Sequence, residues 1–257
     1  MDKKQESDYD SDFMPLMDLV WGKGFIAPGG EGNVDRIVRS VDLQGKRVLE
    51  LGSGAGGGTL VLARKHGARV VGLELEQGLV DLSREHADAA GLSQQVEFRC
   101  VEAGPLPVDD ASFDVLYTSG VVCHIEDRAA LFDDVMRILK PGGMLLGYDW
   151  FVTCDSDDID AWKAASGLHL HNATLERYLE TLADCGFVEV GGSDASDWYR
   201  QQAARELADL EGPLFAEAAR ITSDTIRDST LDEWRAMNVA LQSGELQSGY
   251  FRASKPL

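Results

Sequence analysis

Between residues 47 and 150, short apolar runs alternate with amphipathic stretches. Arg47–Leu51 (RVLEL), Val70–Leu75 (VVGLEL), Val96–Val101, Phe113–Ser119 (FDVLYTS) and Met144–Trp150 each read as a buried strand. The intervals from about Thr59 to Lys65, Gln77 to Ala90 and Arg128 to Leu139 read as helices, the last stopped by LKPGG. Strands alternating with helices predict a mostly parallel sheet covered on both faces.

The flanks carry other patterns. Phe13–Trp21 is a short apolar helical stretch, and FIAPGG (25–30) reads as a loop broken by Pro28 and the Gly29–Gly30 pair. Residues 31–43 read as a helix with Val34, Ile37, Val38 and Val41 on one side. After the fifth strand, 152–160 (VTCDSDDID) reads as an acidic loop. Leu175–Cys185 forms a helix ended by Gly186, and Phe187–Val190 a sixth strand. Residues 195–241 predict two or three helices, and SGYFRASK (248–255) a last strand. The domain organisation is then an N-terminal cap (1–43), a core (44–192 with 246–257) and a helical lid (193–245) over the carboxyl ends of the strands.

Composition narrows the function. Lys+Arg total 24 against 44 Asp+Glu, a net charge of −20. That balance disfavours a nucleic-acid binder and a polybasic membrane-surface protein. Residues 1–20 contain no apolar signal-peptide core, and no apolar run approaches the ~18 residues of a membrane span. Cys100, Cys123, Cys154 and Cys185 lie far apart without zinc-ligand spacing. Buried, reduced thiols in a cytoplasmic protein are expected, with a monomer as the favoured state.

Gly52, Gly54 and Gly57 form G-x-G-x-x-G between a strand and a helix, and Glu74 ends the next strand. Alone, these fit a dinucleotide fingerprint and hence a nicotinamide-dependent oxidoreductase. Three features point elsewhere: Glu50, placed where an amino-acid ammonium would find a partner; Glu102 after the third strand; and the connected set FDVLY, a helix and LKPGG. No catalytic Lys/Tyr pair is evident. A non-catalytic cofactor-binding module is the other rival.

This set resembles the class I S-adenosylmethionine-dependent methyltransferases. The resemblance implies an α/β fold with a Rossmann-like seven-stranded sheet, an N-terminal helical cap and a helical lid inserted before the last strand. It implies S-adenosyl-L-methionine as cofactor. The methionine part would lie on Glu50, Gly52, Ser53 and Gly54; both ribose hydroxyls on Glu74, beside Leu75; and the adenine edge on Glu102 and Ala103. Ile26 and Ser119 complete the implied cofactor set.

The match narrows with WGKGFIAPGG, GSGAGGG, His124, DCGF and GYFRASK, which look like segments of the phosphoethanolamine N-methyltransferases. That resemblance implies a catalytic pair, His124 and Tyr9. A histidine with an ordinary pKa of about 6.5 suits the task, because amine methylation needs the proton removed first. The tyrosine hydroxyl would orient the imidazole and close the site.

The substrate end departs from the family. Gly120 stands where the family has aspartate, Ser119 replaces an arginine and Trp150 a tyrosine. SGLHLHN (166–172) replaces an Arg-x-Tyr element, and QSGELQSGYF lacks a lysine. Met17, Gly120, Trp150, His169 and His171 are the candidate substrate-facing residues. His169 and His171 lack a third metal ligand, so no metal is expected. The implied function is methyl transfer to a small molecule at an amine nitrogen, with carbon, sulfur or oxygen as alternative acceptors.

Overall fold

A computed structural model describes residues 13–257. The chain runs α1 (Phe13–Trp21), α2 (Gly30–Val38), β1 (Arg47–Leu51), α3 (Gly57–Arg64), β2 (Arg69–Glu74), α4 (Gln77–Ala89), β3 (Val96–Cys100) and β4 (Phe113–Ser119). A 3₁₀ turn (Val122–His124) follows, then α5 (Arg128–Ile138), β5 (Leu139–Val152), α6 (Asp157–Ser166), α7 (Leu175–Asp184) and β6 (Val188–Asp194). The lid helices are α8 (Ser196–Glu211), α9 (Phe215–Ile221) and α10 (Asp224–Ser243), and β7 (Leu246–Ser254) closes the sheet.

The seven strands are ordered β3-β2-β1-β4-β5-β7-β6. The first five pair in parallel, whereas β7 is antiparallel to both β5 and β6. That order meets the expectation of a mostly parallel sheet. It also separates the fold from the all-parallel 3-2-1-4-5-6 order of dinucleotide-binding domains.

Period-two alternation explains how the sheet is covered. Leu49 and Leu116 pack with Phe132, Val135, Tyr178 and Leu182 of α5 and α7. Val48, Val115 and Tyr117 pack with Val34, Ile37, Val61 and Leu62 of α2 and α3. A third cluster joins cap to lid: Leu16 and Met17 of α1 meet Trp162, Tyr199, Trp234 and Met237, over Val152 and Leu246 at the strand ends.

Several elements differ from the sequence expectation. Helix α6 begins at Asp157, inside the 152–160 stretch expected as loop, and runs to Ser166. Ser156 caps it by accepting from the Ile159 amide at 3.2 Å, three aspartates occupy its first turn, and Gly167 ends it in the left-handed region. Helix α2 stops at Val38, five residues early. The LKPGG segment belongs to β5: Leu139 pairs with Phe113, and pairing resumes only at Met144↔Val115. Strand β6 continues to Asp194. The thiols are free, but only Cys123 is buried; Cys100 and Cys154 are exposed and Cys185 half-buried. Among the described residues no helix is long and apolar enough to cross a membrane. Among the same residues no cluster of three metal-ligating side chains occurs.

Candidate active site

The loop after β1 is shaped by contacts that exclude side chains. Gly52 has φ +71°, and a Cβ there would lie 2.3 Å from Val121 Cγ2. Gly54 has φ +50°, and its Cβ would lie 2.7 Å from Ile26 Cδ1. The segment after β4 therefore closes on the loop from one side and the cap from the other. Two further ties hold it: Gly57 donates to Gly24 O (3.0 Å), and the amides of Gly52 and Ser53 donate to Leu73 O. Ser53 is buried against Gly72, and its hydroxyl has no partner.

Glu74, at the end of β2, spans two loops. Its Oε2 accepts from the Gly54 amide at 2.9 Å, and its Oε1 accepts from Leu75 (2.7 Å) and Glu76 (3.2 Å). A carboxylate offers about four acceptor sites, so one remains. Accepting two ribose hydroxyls thus requires one backbone bond to open or be shared. Leu75 is 56% exposed, and Glu102 and Ala103 are exposed beyond β3, so both leave surface for an adenine.

Glu50, expected to face an ammonium, instead turns beneath the loop. It is 5% exposed, accepts from the Thr59 hydroxyl, and lies where a Cβ on Gly58 would sit 2.3 Å from Oε1. Burial pushes its carboxyl up to about 8, against the pull of the Thr59 hydrogen bond, and Glu74 adds to the rise. The glycine cradle, the unpartnered Ser53 hydroxyl and the acids after β2 and β3 fit an amino-acid nucleoside lying across the strand ends.

On the other side of the cleft, β4 leads through Ser119 and Gly120 (φ +69°) into the Val122–His124 turn. His124 Nδ1 lies 2.9 Å from His169 O. Cys123 donates its amide to Asp149 Oδ2 (2.9 Å) and accepts at its carbonyl from His171 N (2.8 Å). Arg128 Nη2 donates to His171 O. His169 and His171 thus reach the turn through their backbones, while the His169 side chain is exposed. Burial raises the Cys123 thiol well above its usual range, which suits packing rather than nucleophilic work.

Above the strand ends, the Trp150 ring meets Trp162 edge-on at 5.4 Å, and its buried Nε1 has no partner. Met17 is fully buried in the same cap–lid cluster. Two acids lie within the lid. Glu206, 4% exposed, accepts from Trp234 Nε1 (3.2 Å) and Gln202 Nε2 (3.1 Å), and burial pushes its carboxyl up to about 6. Burial pushes Glu233 up to about 7. Tyr9 lies outside the described residues.

Asp149 and Glu206 escaped the sequence reading. Asp149 is an acid inside an otherwise apolar strand, a visible signal. Glu206 stands three residues after Ala203 and four before Leu210, on the buried face of α8.

Residues 49–147 match the family model described as a methyltransferase domain. The chain is 31% identical over 253 residues to phosphoethanolamine N-methyltransferase 1 of Arabidopsis thaliana, covering 96% of this chain and 50% of that one. It spans about half the length of such plant relatives. Its fold is similar to phosphoethanolamine N-methyltransferase 2 of Haemonchus contortus, solved with phosphomonomethylethanolamine and S-adenosylhomocysteine. There the TM-score is 0.88 at 23% identity, covering 100% of this chain and 60% of that one. It is likewise similar to a protein from Galdieria sulphuraria described as a putative sarcosine dimethylglycine methyltransferase. That match has a TM-score of 0.83 at 21% identity and covers 98% and 99% of the two chains.

Proposed function

The chain is a class I S-adenosylmethionine-dependent methyltransferase domain related to the phosphoethanolamine N-methyltransferases, and from that premise we propose that it methylates an amine nitrogen of a small molecule. The observation that carries the acceptor assignment is the bond between His124 Nδ1 and His169 O. A carbonyl only accepts, so Nδ1 holds the proton and Nε2 keeps its lone pair.

S-adenosyl-L-methionine, when bound, supplies an electrophilic methyl on a sulfonium. Gly52, Ser53 and Gly54 would hold its methionine part, with Ile26 above and Ser119 beside. Glu74 would hold the ribose, and Leu75, Glu102 and Ala103 the adenine. Glu50 supports the loop from below through Thr59. His124 Nε2 would take a proton from the acceptor's ammonium and leave the nitrogen lone pair free for transfer. Tyr9 would orient the imidazole and close the site against water. Gly120, Trp150 and Met17 frame the acceptor end. His169 supplies its carbonyl and His171 its amide to the base turn.

The test is incubation with methyl-labelled S-adenosylmethionine and a panel of ethanolamine, phosphoethanolamine, sarcosine, dimethylglycine and larger primary amines. Label should appear on nitrogen. Label on carbon, sulfur or oxygen, or binding without any transfer, would overturn the assignment.

A further inference from the structure

Asp149 is fully buried near the end of β5, yet it is used by nothing in the reaction described above. Its Oδ2 accepts from the Cys123 amide at 2.9 Å, and its Oδ1 from the Trp150 amide at 3.0 Å. A carboxylic acid can accept at both oxygens only by turning its proton elsewhere, so this pattern suits the ionised form. Burial holds its carboxyl above the usual range, a rise that the Cys123 thiol, the two amides and the nearby His124 reduce without cancelling. A charge kept in so dry a place needs a use or a partner.

The surroundings name one. The groups facing the turn are Cys123 and His124 on the turn itself, Arg128 from α5, Tyr178 from α7, and His169 and His171 from the crossing segment. Arg128 is committed to His171 O and lies over the Tyr178 ring, 5.0 Å from its centroid. His124 is the group whose charge changes during turnover. The Val122–His124 turn has only three residues, and its middle amide is fixed by Asp149.

We propose that Asp149 is the positioning residue of the His124 base. Its carboxylate fixes the turn through the Cys123 amide and supplies the negative charge that favours the imidazolium formed when His124 takes a proton. The role resembles that of an orienting aspartate in a catalytic triad, but it acts through the backbone and through space. The inference rests on His124 being the base.

The test is a histidine-selective NMR titration of the protein loaded with S-adenosylhomocysteine. The chain has five histidines, and His124→Gln identifies the signal of interest. In Asp149→Asn, the His124 titration should move to lower pH, because an anion is lost while Arg128 stays. On the best amine of the panel, kcat should fall roughly tenfold, with KM changed less than about threefold, and the acidic limb of the pH profile should move down with the titration. If Asp149→Asn does not fold, Asp149→Ser, which keeps one acceptor without the charge, gives the same readout. An unmoved His124 titration in a folded variant overturns the proposal, even if turnover falls. Turnover that survives His124→Ala overturns the base assignment instead, so the two failures are distinct.

Discussion

His124 Nδ1 and the carbonyl oxygen of His169 are 2.9 Å apart, although 45 residues separate them in sequence. The crossing segment therefore fixes which imidazole nitrogen is free. Replacing His124 by alanine should lower kcat by roughly 10²–10⁴-fold, the usual worth of a positioned base. Affinity for S-adenosylhomocysteine, measured by calorimetry, should stay within about twofold. Tyr9→Phe should cost less, because it removes an orienting group rather than the base.

Parts of this arrangement were legible in the sequence because they are local. A glycine run after RVLEL, with an acid after each of the next two strands, marks the strand ends at which the family resemblance implies the cofactor. The partners of His124 were not legible. His169 and His171 drew notice as side chains, but a backbone carbonyl carries no sequence signature, so residue types could not reveal the link. Helix α6 was missed for a different reason. Four aspartates in nine residues read as a solvated loop, although Ser156 followed by acids in the first turn is also a helix start. Glu50 shows a third limit: its position at the strand end was right, but its direction depends on Gly58 leaving room beneath the loop.

Glu74→Ala should weaken cofactor binding by about 2–4 kcal/mol, roughly 30- to 900-fold in Kd, as charge-assisted bonds to the ribose are lost. The same substitution releases the amides of Gly54, Leu75 and Glu76. The free protein should therefore melt a few degrees lower as well. Calorimetric affinity equal to wild type would remove Glu74 from the ribose site.

Gly52→Ala should destabilise by about 2–5 kcal/mol, adding the left-handed backbone cost of about 1–2 to an overpacking cost of about 1–3. The overpacking arises against Val121 Cγ2. Val121→Ala in the same chain should recover the steric part and leave the backbone part. Urea melts of the two single variants and the double variant measure this coupling, which should favour the double variant by at least 1 kcal/mol.

Glu206 makes the lid sensitive to pH. Its folded-state pKa of about 6 lies above the ordinary 4.5, so the folded lid holds the proton more tightly than the unfolded chain. Its contribution is fully present below pH 4.5, declines as pH rises towards 6, and is lost above that. The loss amounts to about 2 kcal/mol. Glu206→Gln abolishes this titration. The stability of the variant relative to wild type should therefore rise by up to that amount between pH 4.5 and pH 7. Parallel denaturation curves at the two pH values decide it.

Phosphoethanolamine should be a poor acceptor, with kcat/KM at least tenfold below the best amine of the panel. A dianionic phosphate leaving water needs cationic partners, preferably bidentate ones. Three of the cap and lid cations that would have to rebuild such a site are engaged elsewhere. Arg200 is held by Asp197 and Leu241 O, Arg227 by Asp224 and Asp228, and Arg205 binds Gln202. Lys23 lines an outer groove beside Arg64 and His86, and Arg252 is exposed on β7. Arg128, beside the base turn, gives Nη2 to His171 O and lies over the Tyr178 ring, which leaves its buried Nε without a partner. The end of β5 instead offers Trp150, packed edge-on against Trp162 and carrying a free indole N–H. That lining suits an acceptor with apolar surface and no phosphate. Steady-state assays at fixed S-adenosylmethionine should rank a larger amine above ethanolamine and ethanolamine above its phosphate ester. A kcat/KM for phosphoethanolamine of about 10⁴ M⁻¹s⁻¹ or more, equal to or above the other amines, would show that Arg128 or a rearranged cap supplies the missing charge.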